Sequence, residues 1–289
     1  MIRVVSWNIN KQLAPWRELV QMDADVALVQ EAWPPPEDVT GIDIGPKESY
    51  DSHYWNSDWW EGRWPHLAER WPMVVKISDR VDVEWFKQVT PISLTADNEI
   101  AVSGIGTIAA ARVTPKEDSI KPFIAVSMYG RWLSPHPSTG SSWIYADASV
   151  HRIISDLSAF IGRENPATHR IVASGDLNIF HDYGDAGDPY WEARYRSVFD
   201  RMAAIGLEFI GPQAPNGRQA EVRLRGEPSN SQNVVTYSHG NNPAVTDNRQ
   251  LDFAFASRGF HESISVRALN ETDEWGPSDH CRILIEIDG

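Results

Sequence analysis

The chain has 289 residues, of which 42% are hydrophobic and 23% charged, and its formal net charge is -14 at pH 7. This length and composition support a substantial core, so we expect a single folded domain over residues 1–289. The acidic balance opposes tight non-specific binding to nucleic acid, which depends on Lys and Arg displacing counterions from phosphates. It does not exclude a nuclease, because carboxylates that hold metal ions raise the acidic count themselves.

The cysteine content and the apolar runs of the sequence indicate the cellular location of the protein. Cys281 is the only cysteine, so no intramolecular disulfide can form. Charge interrupts every apolar run within about ten residues, which is too short for a helix that crosses a bilayer. The chain begins with a strand-like segment instead of a charged and then apolar leader. We therefore expect a cytoplasmic monomer that has no membrane contact and no protein partner.

Short runs of β-branched and aromatic residues, bounded by Gly, Pro, Asn or Asp, predict strands along most of the chain. In the first two thirds these are residues 2–7, 26–30, 73–77, 81–89, 106–113, 123–129 and 171–174. Towards the C-terminus they are residues 234–237, 251–256, 264–268 and 283–287. The least regular stretches, which we interpret as surface loops, are residues 34–71, 133–142, 181–189 and 212–233.

Apolar residues spaced three and four apart predict two amphipathic helices. The first presents Val150, Ile153, Ile154, Leu157, Phe160 and Ile161 on one face. The second presents Trp191, Tyr195, Val198, Phe199, Met202 and Ile205 and stops at Gly206, a natural left-handed terminator. A shorter helix is predicted to begin at Pro15. Strands interspersed with such helices, without a repeat or a linker, favour a layered α/β domain with sheet packed on sheet.

Acidic and amide residues lie where the predicted strands end, and strand ends can direct side chains into a shared cleft. The residues placed in this way are Asn8, Glu31, Asp176, Asn178, Asp252, Asp279 and His280. Such a set of oxygen ligands suits a hard cation such as Mg²⁺ or Mn²⁺. A His beside carboxylates can stay protonated against a phosphoryl oxygen. The pattern therefore predicts phosphoryl-transfer chemistry.

The sequence resembles the endonuclease/exonuclease/phosphatase superfamily, which includes DNase I-like nucleases, abasic-site endonucleases, inositol phosphatases and neutral sphingomyelinases. The motifs that carry the resemblance follow the family order: Trp7-Asn8, Gln30-Glu31, Gly175-Asp176-Leu177-Asn178, Leu251-Asp252-Phe253 and Ser278-Asp279-His280. The resemblance implies a DNase I-like fold, which is a four-layer α/β sandwich of two packed, mostly antiparallel sheets with outer helices.

The resemblance also implies ligands for the Mg²⁺ or Mn²⁺ ion. Glu31 is then the principal metal ligand, while Asn8 and Asn178 hold the phosphate or the metal shell. Asp279 is placed beside the leaving group or a second metal.

Catalytic roles follow from the same resemblance. Asp176 orients or deprotonates the attacking water, and Asp252 supports His280. The protonated His280 would stabilise charge on the pentavalent phosphorane. Tyr129 falls where the family often has a residue that touches the phosphate.

The chain departs from the abasic-site endonucleases after the central tyrosine. Those enzymes usually have Pro-Asn, where this sequence has Gly130-Arg131-Trp132, and Arg282 stands where relatives tend to have Pro. Abasic-site specificity is therefore disfavoured, and Arg131 becomes a candidate phosphate contact.

Aromatic and basic residues supply further candidate substrate contacts. Five of the 13 Trp lie between residues 50 and 71. Trp59, Trp60 and Trp132 are candidates to stack on a base or a sugar, although rings of this kind also pack over sheet edges. Arginines near the second helix and in the loop 212–233 form either a basic rim or ordinary surface charge.

Three functions remain open at this point. A Mg²⁺- or Mn²⁺-dependent nuclease that hydrolyses DNA or RNA is the first expectation. A phosphatase or phosphodiesterase for a small or lipid-linked phosphate, such as an inositol phosphate, is favoured by the acidic balance. A non-catalytic binding module is disfavoured, because nothing but chemistry requires Glu31, Asp176, Asn178 and His280 together.

Overall fold

The computed structural model describes residues 1–51, 70–91, 95–133, 137–140, 145–161, 169–239 and 247–289. In chain order the strands are β1 (Ile2–Asn8), β2 (Val26–Ala32), β3 (Trp71–Lys76), β4 (Val81–Trp85), β5 (Lys87–Val89), β6 (Glu99–Ala101), β7 (Ile108–Pro115), β8 (Phe123–Tyr129), β9 (Ile171–Asp176), β10 (Leu207–Gly211), β11 (Asp252–Ser257), β12 (Ile264–Leu269) and β13 (Arg282–Ile287). The α-helices are α1 (Ala14–Leu19), α2 (Asp147–Leu157) and α3 (Pro189–Ala204).

Two large sheets form the centre of the protein. The first has the strand order β12-β13-β1-β2-β3 and the second the order β10-β11-β9-β8-β7-β4. In the first sheet β1 and β2 are parallel, in the second β8 and β9 are parallel, and the other neighbours are antiparallel. Strands β5 and β6 pair separately as a short parallel ribbon. The prediction of mostly antiparallel sheets is confirmed.

The buried apolar side chains divide into three clusters that separate four layers. Strand β1 shows the reason, because successive side chains of a strand point to opposite faces. Its Val4 belongs to the core between the two sheets, whereas Val5 packs with Trp16 of α1 on the outer face. On the far side, α2 and α3 cover the second sheet, as in the packing of Val198 with Phe255. The predicted four-layer α/β sandwich is confirmed.

The predicted helices and most predicted strands are present, with their ends shifted by a few residues. The run 81–89 is divided into β4 and β5, and the short strands β6 and β10 were not predicted. The prediction of a strand at 234–237 is wrong. There the hydroxyl of Thr236 accepts the backbone N–H groups of Leu251 and Asp252, at 2.9 and 3.2 Å, and Tyr237 makes only isolated bridges. The Thr236 N–H donates to the Arg249 carbonyl and the Thr236 carbonyl accepts the Cys281 N–H, each at 2.9 Å, so the segment bridges two neighbours without a continuous ladder.

Within the described ranges, no helix is both long enough and apolar enough to cross a bilayer.

A buried acid on α2 makes stability depend on pH. Asp156 is buried and accepts a 2.9 Å hydrogen bond from the Ser103 backbone N–H. Burial raises the pKa of its carboxyl from 3.8 to about 6. Since the folded chain holds this proton more tightly than the unfolded chain, protonation stabilises the fold at low pH. That contribution is lost as the pH rises from the unfolded to the folded pKa.

We therefore expect Asp156→Asn, which retains an oxygen acceptor for Ser103, to raise the free energy of unfolding above pH 7. The gain should be on the order of 2 kcal/mol and should vanish below about pH 4. Urea denaturation across this pH range measures it. The same change at exposed Asp200 of α3 is the control and should alter stability by less than about 0.5 kcal/mol. A pH-independent effect of Asp156→Asn would contradict the assignment.

Candidate active site

Strand ends from both sheets meet at one edge of the sandwich. Asp176 ends β9, lies opposite Asp252 of β11, and neighbours Tyr129, the last residue of the parallel strand β8. In the facing sheet, Asn8 ends β1 beside Gln30 of β2. This edge surrounds a cavity of about 410 Å³. The predicted site residues that line it are Glu31, Trp132, Asp176, Asn178, Asp279 and His280.

Irregular backbone directs Glu31 into the cavity. The pairing of β2 with β3 changes register between Val29 and Ala32, and Glu31 has a left-handed φ of 49°. A bulge of this kind redirects a side chain out of the strict alternation of a strand. Non-glycine residues are uncommon at positive φ, and such positions concentrate at functional sites. The local irregularity therefore takes Glu31 out of the sheet face and into the cavity.

A glycine allows β8 and β9 to approach closely beside Asp176. A Cβ atom placed on Gly175 would lie 1.9 Å from the carbonyl oxygen of Met128, which no side chain tolerates. The residue before Asp176 must therefore be glycine if the two parallel strands are to end side by side.

Asp176 is fixed from both sheets. Its Oδ1 accepts the backbone N–H of Asn178 at 2.9 Å. Its Oδ2 accepts the amides of Asn8 and Asn178, each at 2.9 Å. Burial raises the pKa of this carboxyl, while the positive charge of His280 opposes the rise. A carboxylate with a raised pKa and a fixed orientation is suited to accept a proton near neutral pH.

His280 lies between two carboxylates. Its Nδ1 is 2.8 Å from Oδ2 of Asp252, and its Nε2 is 3.8 Å from Oδ2 of Asp176. Burial favours the neutral ring, but the charges of Asp252 and Asp176 outweigh it and raise the pKa of His280 above its ordinary value of 6.5. The imidazole therefore retains its second proton and carries a positive charge at the cavity wall.

The backbone around His280 is held by the tryptophan and serine of the sequence motifs. The indole N–H of Trp7 donates to the carbonyl oxygen of His280 at 2.9 Å. The hydroxyl of Ser278 donates to the carbonyl oxygen of Asn8 at 2.6 Å and accepts the His280 N–H at 3.3 Å. These bonds fix the position of His280 relative to β1.

Glu31 and Asp279 are the carboxylates available to a cation. Glu31 Oε1 accepts the Tyr129 hydroxyl at 2.7 Å, and its Oε2 contacts the guanidinium of Arg70. Asp279 accepts the amide of Asn10 at 3.1 Å. Burial raises the pKa of Asp279, and the nearby charge of Glu31 adds to this effect.

This donor set fits a hard cation in an open site. The described residues contain no group of three or more His, Cys, Asp and Glu placed as a metal cage. Mg²⁺, however, is commonly bound by one or two carboxylates together with water and substrate phosphate. Burial is the main cause of the raised pKa of Asp279, and a cation between Glu31 and Asp279 would offset the smaller contribution from the charge of Glu31.

Two predicted substrate contacts lie behind the cavity surface. Tyr129 is buried, and its hydroxyl donates to Oε1 of Glu31, so its predicted contact with the phosphate stays a prediction. Arg131 is also buried, donates to the carbonyl oxygen of Ile105 at 3.0 Å, and does not line the cavity. Gly106 leaves room for the Arg131 side chain to turn inward, because a Cβ atom placed on Gly106 would lie 2.6 Å from Nη1 of Arg131. Burial lowers the pKa of Arg131 to about 10.

Of the predicted aromatic contacts, Trp132 lines the cavity and is 50% exposed. Trp59 and Trp60 lie outside the described residues.

Several lining residues were not predicted from the sequence, namely Asn10, Arg70, Phe180, Asp185, Tyr195, Tyr237, Arg249 and Leu251. The Tyr237 ring packs edge-on against His280, with centroids 5.0 Å apart. Tyr195 was predicted only as a core residue, because it has the helical spacing of one, yet it also lines the cavity. Arg70 stands at the end of a stretch interpreted as loop, and no local pattern marks it.

Comparisons with known proteins agree with this geometry. A sequence profile of the Endonuclease/Exonuclease/phosphatase family matches residues 5–280. The search of curated proteins gave no match.

Solved structures share the fold at low identity. The endonuclease domain of TRAS1, a telomere-specific non-LTR retrotransposon, is 16% identical, with a TM-score of 0.58 over 99% of this chain and 97% of that chain. A 3'-5' exonuclease from Neisseria meningitidis is 15% identical, with a TM-score of 0.55 over 100% of both chains. The AP endonuclease LMAP from Leishmania major is 13% identical, with a TM-score of 0.56 over 100% of this chain and 88% of that chain.

The charge on His280 can be tested directly. Replacing Asp252 with Asn removes the carboxylate nearest Nδ1, so burial should dominate and the pKa of His280 should fall by roughly one unit or more. An NMR titration of the imidazole nitrogens in chelator-treated protein measures this pKa. Asp273→Asn, an exposed change, should leave it unaltered. An unchanged pKa in Asp252→Asn would show that Asp252 does not hold the proton on His280.

Proposed function

Because the chain belongs to the endonuclease/exonuclease/phosphatase family, we propose that it is a divalent-metal-dependent phosphodiesterase that hydrolyses DNA or RNA. The observation that carries this proposal is the buried row Asp252, His280 and Asp176, with distances of 2.8 and 3.8 Å between neighbours. It places a proton acceptor beside a positively charged donor at the wall of one cavity.

In the proposed reaction Asp176 takes a proton from a water molecule as the water oxygen attacks phosphorus. Asn8 and Asn178 keep the carboxylate in place, so little reorganisation is needed at that moment. The P–O ester bond opposite the water then breaks, the released alkoxide takes a proton from solvent, and Asp176 returns its proton to solvent.

His280 acts on the charge that develops during this step. Its Nε2–H is available to donate a hydrogen bond to a non-bridging phosphoryl oxygen, and Asp252 keeps the ring protonated and oriented. A bound Mg²⁺ or Mn²⁺, held by Glu31 and Asp279, would supply further neutralisation of the phosphate charge.

The remaining cavity wall favours a nucleic acid over a bare phosphate. The aromatic side chains of Trp132, Phe180 and Tyr237 line the cavity together with the guanidinium group of Arg249. Aromatic rings stack on bases without regard to sequence, and arginines pair with the backbone. Solved structures with this fold include an endonuclease domain, a 3'-5' exonuclease and an AP endonuclease, which makes polynucleotides the first substrates to test.

A small phosphate ester is the second candidate substrate, and the arginines near α3 favour it. Arg194 is ion-paired with Asp147 at 2.6 Å, and Arg196 contacts Glu192. These charges are neutralised within the protein and add little to a surface for a phosphate backbone. With a net charge of -14, such a surface would have to be local.

The proposal predicts metal-dependent cleavage that needs Asp176 and His280. With Mg²⁺ or Mn²⁺ we expect turnover of single-stranded DNA, duplex DNA or RNA, and none with chelator. Asp176→Asn and His280→Gln should each lower kcat by roughly 10² to 10⁴. Asp273→Asn, at an exposed site, should retain the wild-type rate. Release of inorganic phosphate only from inositol phosphates would favour the second candidate, and full activity in Asp176→Asn would refute the mechanism.

A further inference from the structure

A second cavity of about 140 Å³ adjoins the catalytic cavity. The two share Phe180, Asp185 and Arg249 as a common wall. The remaining wall of the second cavity includes Tyr183, Leu224 and Arg225. None of these residues is needed for the proposed proton transfers. We call this cavity the side pocket.

Two loops form the walls of the side pocket and hold them in place. Gly226 and Gly187 touch so closely that a Cβ on Gly226 would lie 2.5 Å from the Gly187 Cα. The rings of Phe180 and Tyr183 are stacked, with centroids 4.7 Å apart and an angle of 9°. The hydroxyl of Tyr195 donates to Asp185 at 2.5 Å. The walls are therefore fixed by packing and hydrogen bonding before a ligand arrives.

The side pocket carries two arginine side chains, Arg225 and Arg249. Arg194, Arg196 and Arg258 are each paired with an acid. Arg225 and Arg249 are exposed, and neither makes an ion pair with an acid of the described residues. Arg249 lies over the ring of Tyr237, 5.9 Å from its centroid, at the junction of the two cavities. An aromatic wall with two such guanidinium groups is complementary to a base joined to a phosphate.

We propose that the side pocket binds the nucleoside attached to the scissile phosphate, so that the substrate extends from the catalytic cavity across Phe180. This inference rests on the proposed phosphodiesterase function and assigns the place at which one nucleoside of the substrate is bound. The exposed part of the Phe180 ring contacts the base, and Arg225 pairs with the phosphate on the far side of that nucleoside. Arg249, in the wall shared by the two cavities, lies between the nucleoside and the scissile phosphate. A phosphate without an aromatic group occupies the catalytic cavity alone.

Equilibrium binding tests the pocket without requiring turnover. The probes are thymidine 3',5'-bisphosphate and inorganic phosphate, measured by calorimetry on the full chain with Mg²⁺. Arg225→Gln should weaken the nucleotide roughly tenfold, as for loss of one charge-assisted contact. Leu224→Trp, which fills the pocket, should weaken it further. Both variants should bind inorganic phosphate as the wild type does. Arg196→Gln is the matched control, because it makes the same change on the surface of α3, and it should bind both probes normally.

Equal nucleotide affinity in wild type, Arg225→Gln and Leu224→Trp would overturn the side pocket, as would wild-type binding no tighter than that of inorganic phosphate. Hydrolysis separates this failure from that of the proposed function. If the wild type cleaves both a thymidine dinucleotide with phosphates at both ends and glycerophosphocholine, a diester without an aromatic ring, the proposed function stands. The pocket variants should then raise KM for the dinucleotide alone, with kcat unchanged. An equal rise in KM for both diesters would refute the inference while leaving the function intact.

Discussion

The hydrogen bond from the Asn8 amide to Asp176 joins the two sheets at the edge where the candidate chemistry is located. Each residue ends a central strand of its own sheet, so the bond exists only if both strands stop at the same depth. Deeper in the sandwich, the Gln30 amide donates to the Ser127 hydroxyl at 3.0 Å, and that hydroxyl donates to the carbonyl oxygen of Val29 at 2.7 Å. A buried polar group that lacks a hydrogen-bond partner destabilises the fold, so these hydrogen bonds specify how the two sheets align.

The same edge concentrates more negative than positive charge in a partly buried space. Asp176 and Asp252 face a single imidazolium, and Glu31 and Asp279 add two further carboxylates to the cavity region. Arg70 forms an ion pair with Glu31 and so neutralises part of this charge. Burial, and to a smaller extent the charge of Glu31, raises the pKa of Asp279. The fold thus holds an arrangement that a divalent cation and a protonated His280 would both stabilise.

The proposed substrate pocket and the proposed catalytic residues belong to different parts of the fold. The catalytic side chains stand on strand ends, which packing in the three apolar clusters keeps rigid. The side pocket is formed instead by the loop after β9 and the loop before β11, where insertions and substitutions leave the sheets intact. The acidic net charge limits affinity for a long polynucleotide backbone, so recognition in this protein would depend on local contacts with aromatic rings and unpaired arginines.

The sequence alone determined the layered fold and the residues at the ends of its strands. Periodicity of two and of three to four identified the sheets and helices, because each buries one repeating face. The motifs around Glu31, Asp176 and His280 carried the family resemblance, because chemistry demands those residue types. Only the tertiary structure decided that Tyr129 and Arg131 turn inward, and that Arg70 and Arg249 reach the cavity. Their positions depend on how loops pack over strand ends that are distant in sequence, and no local pattern encodes such contacts.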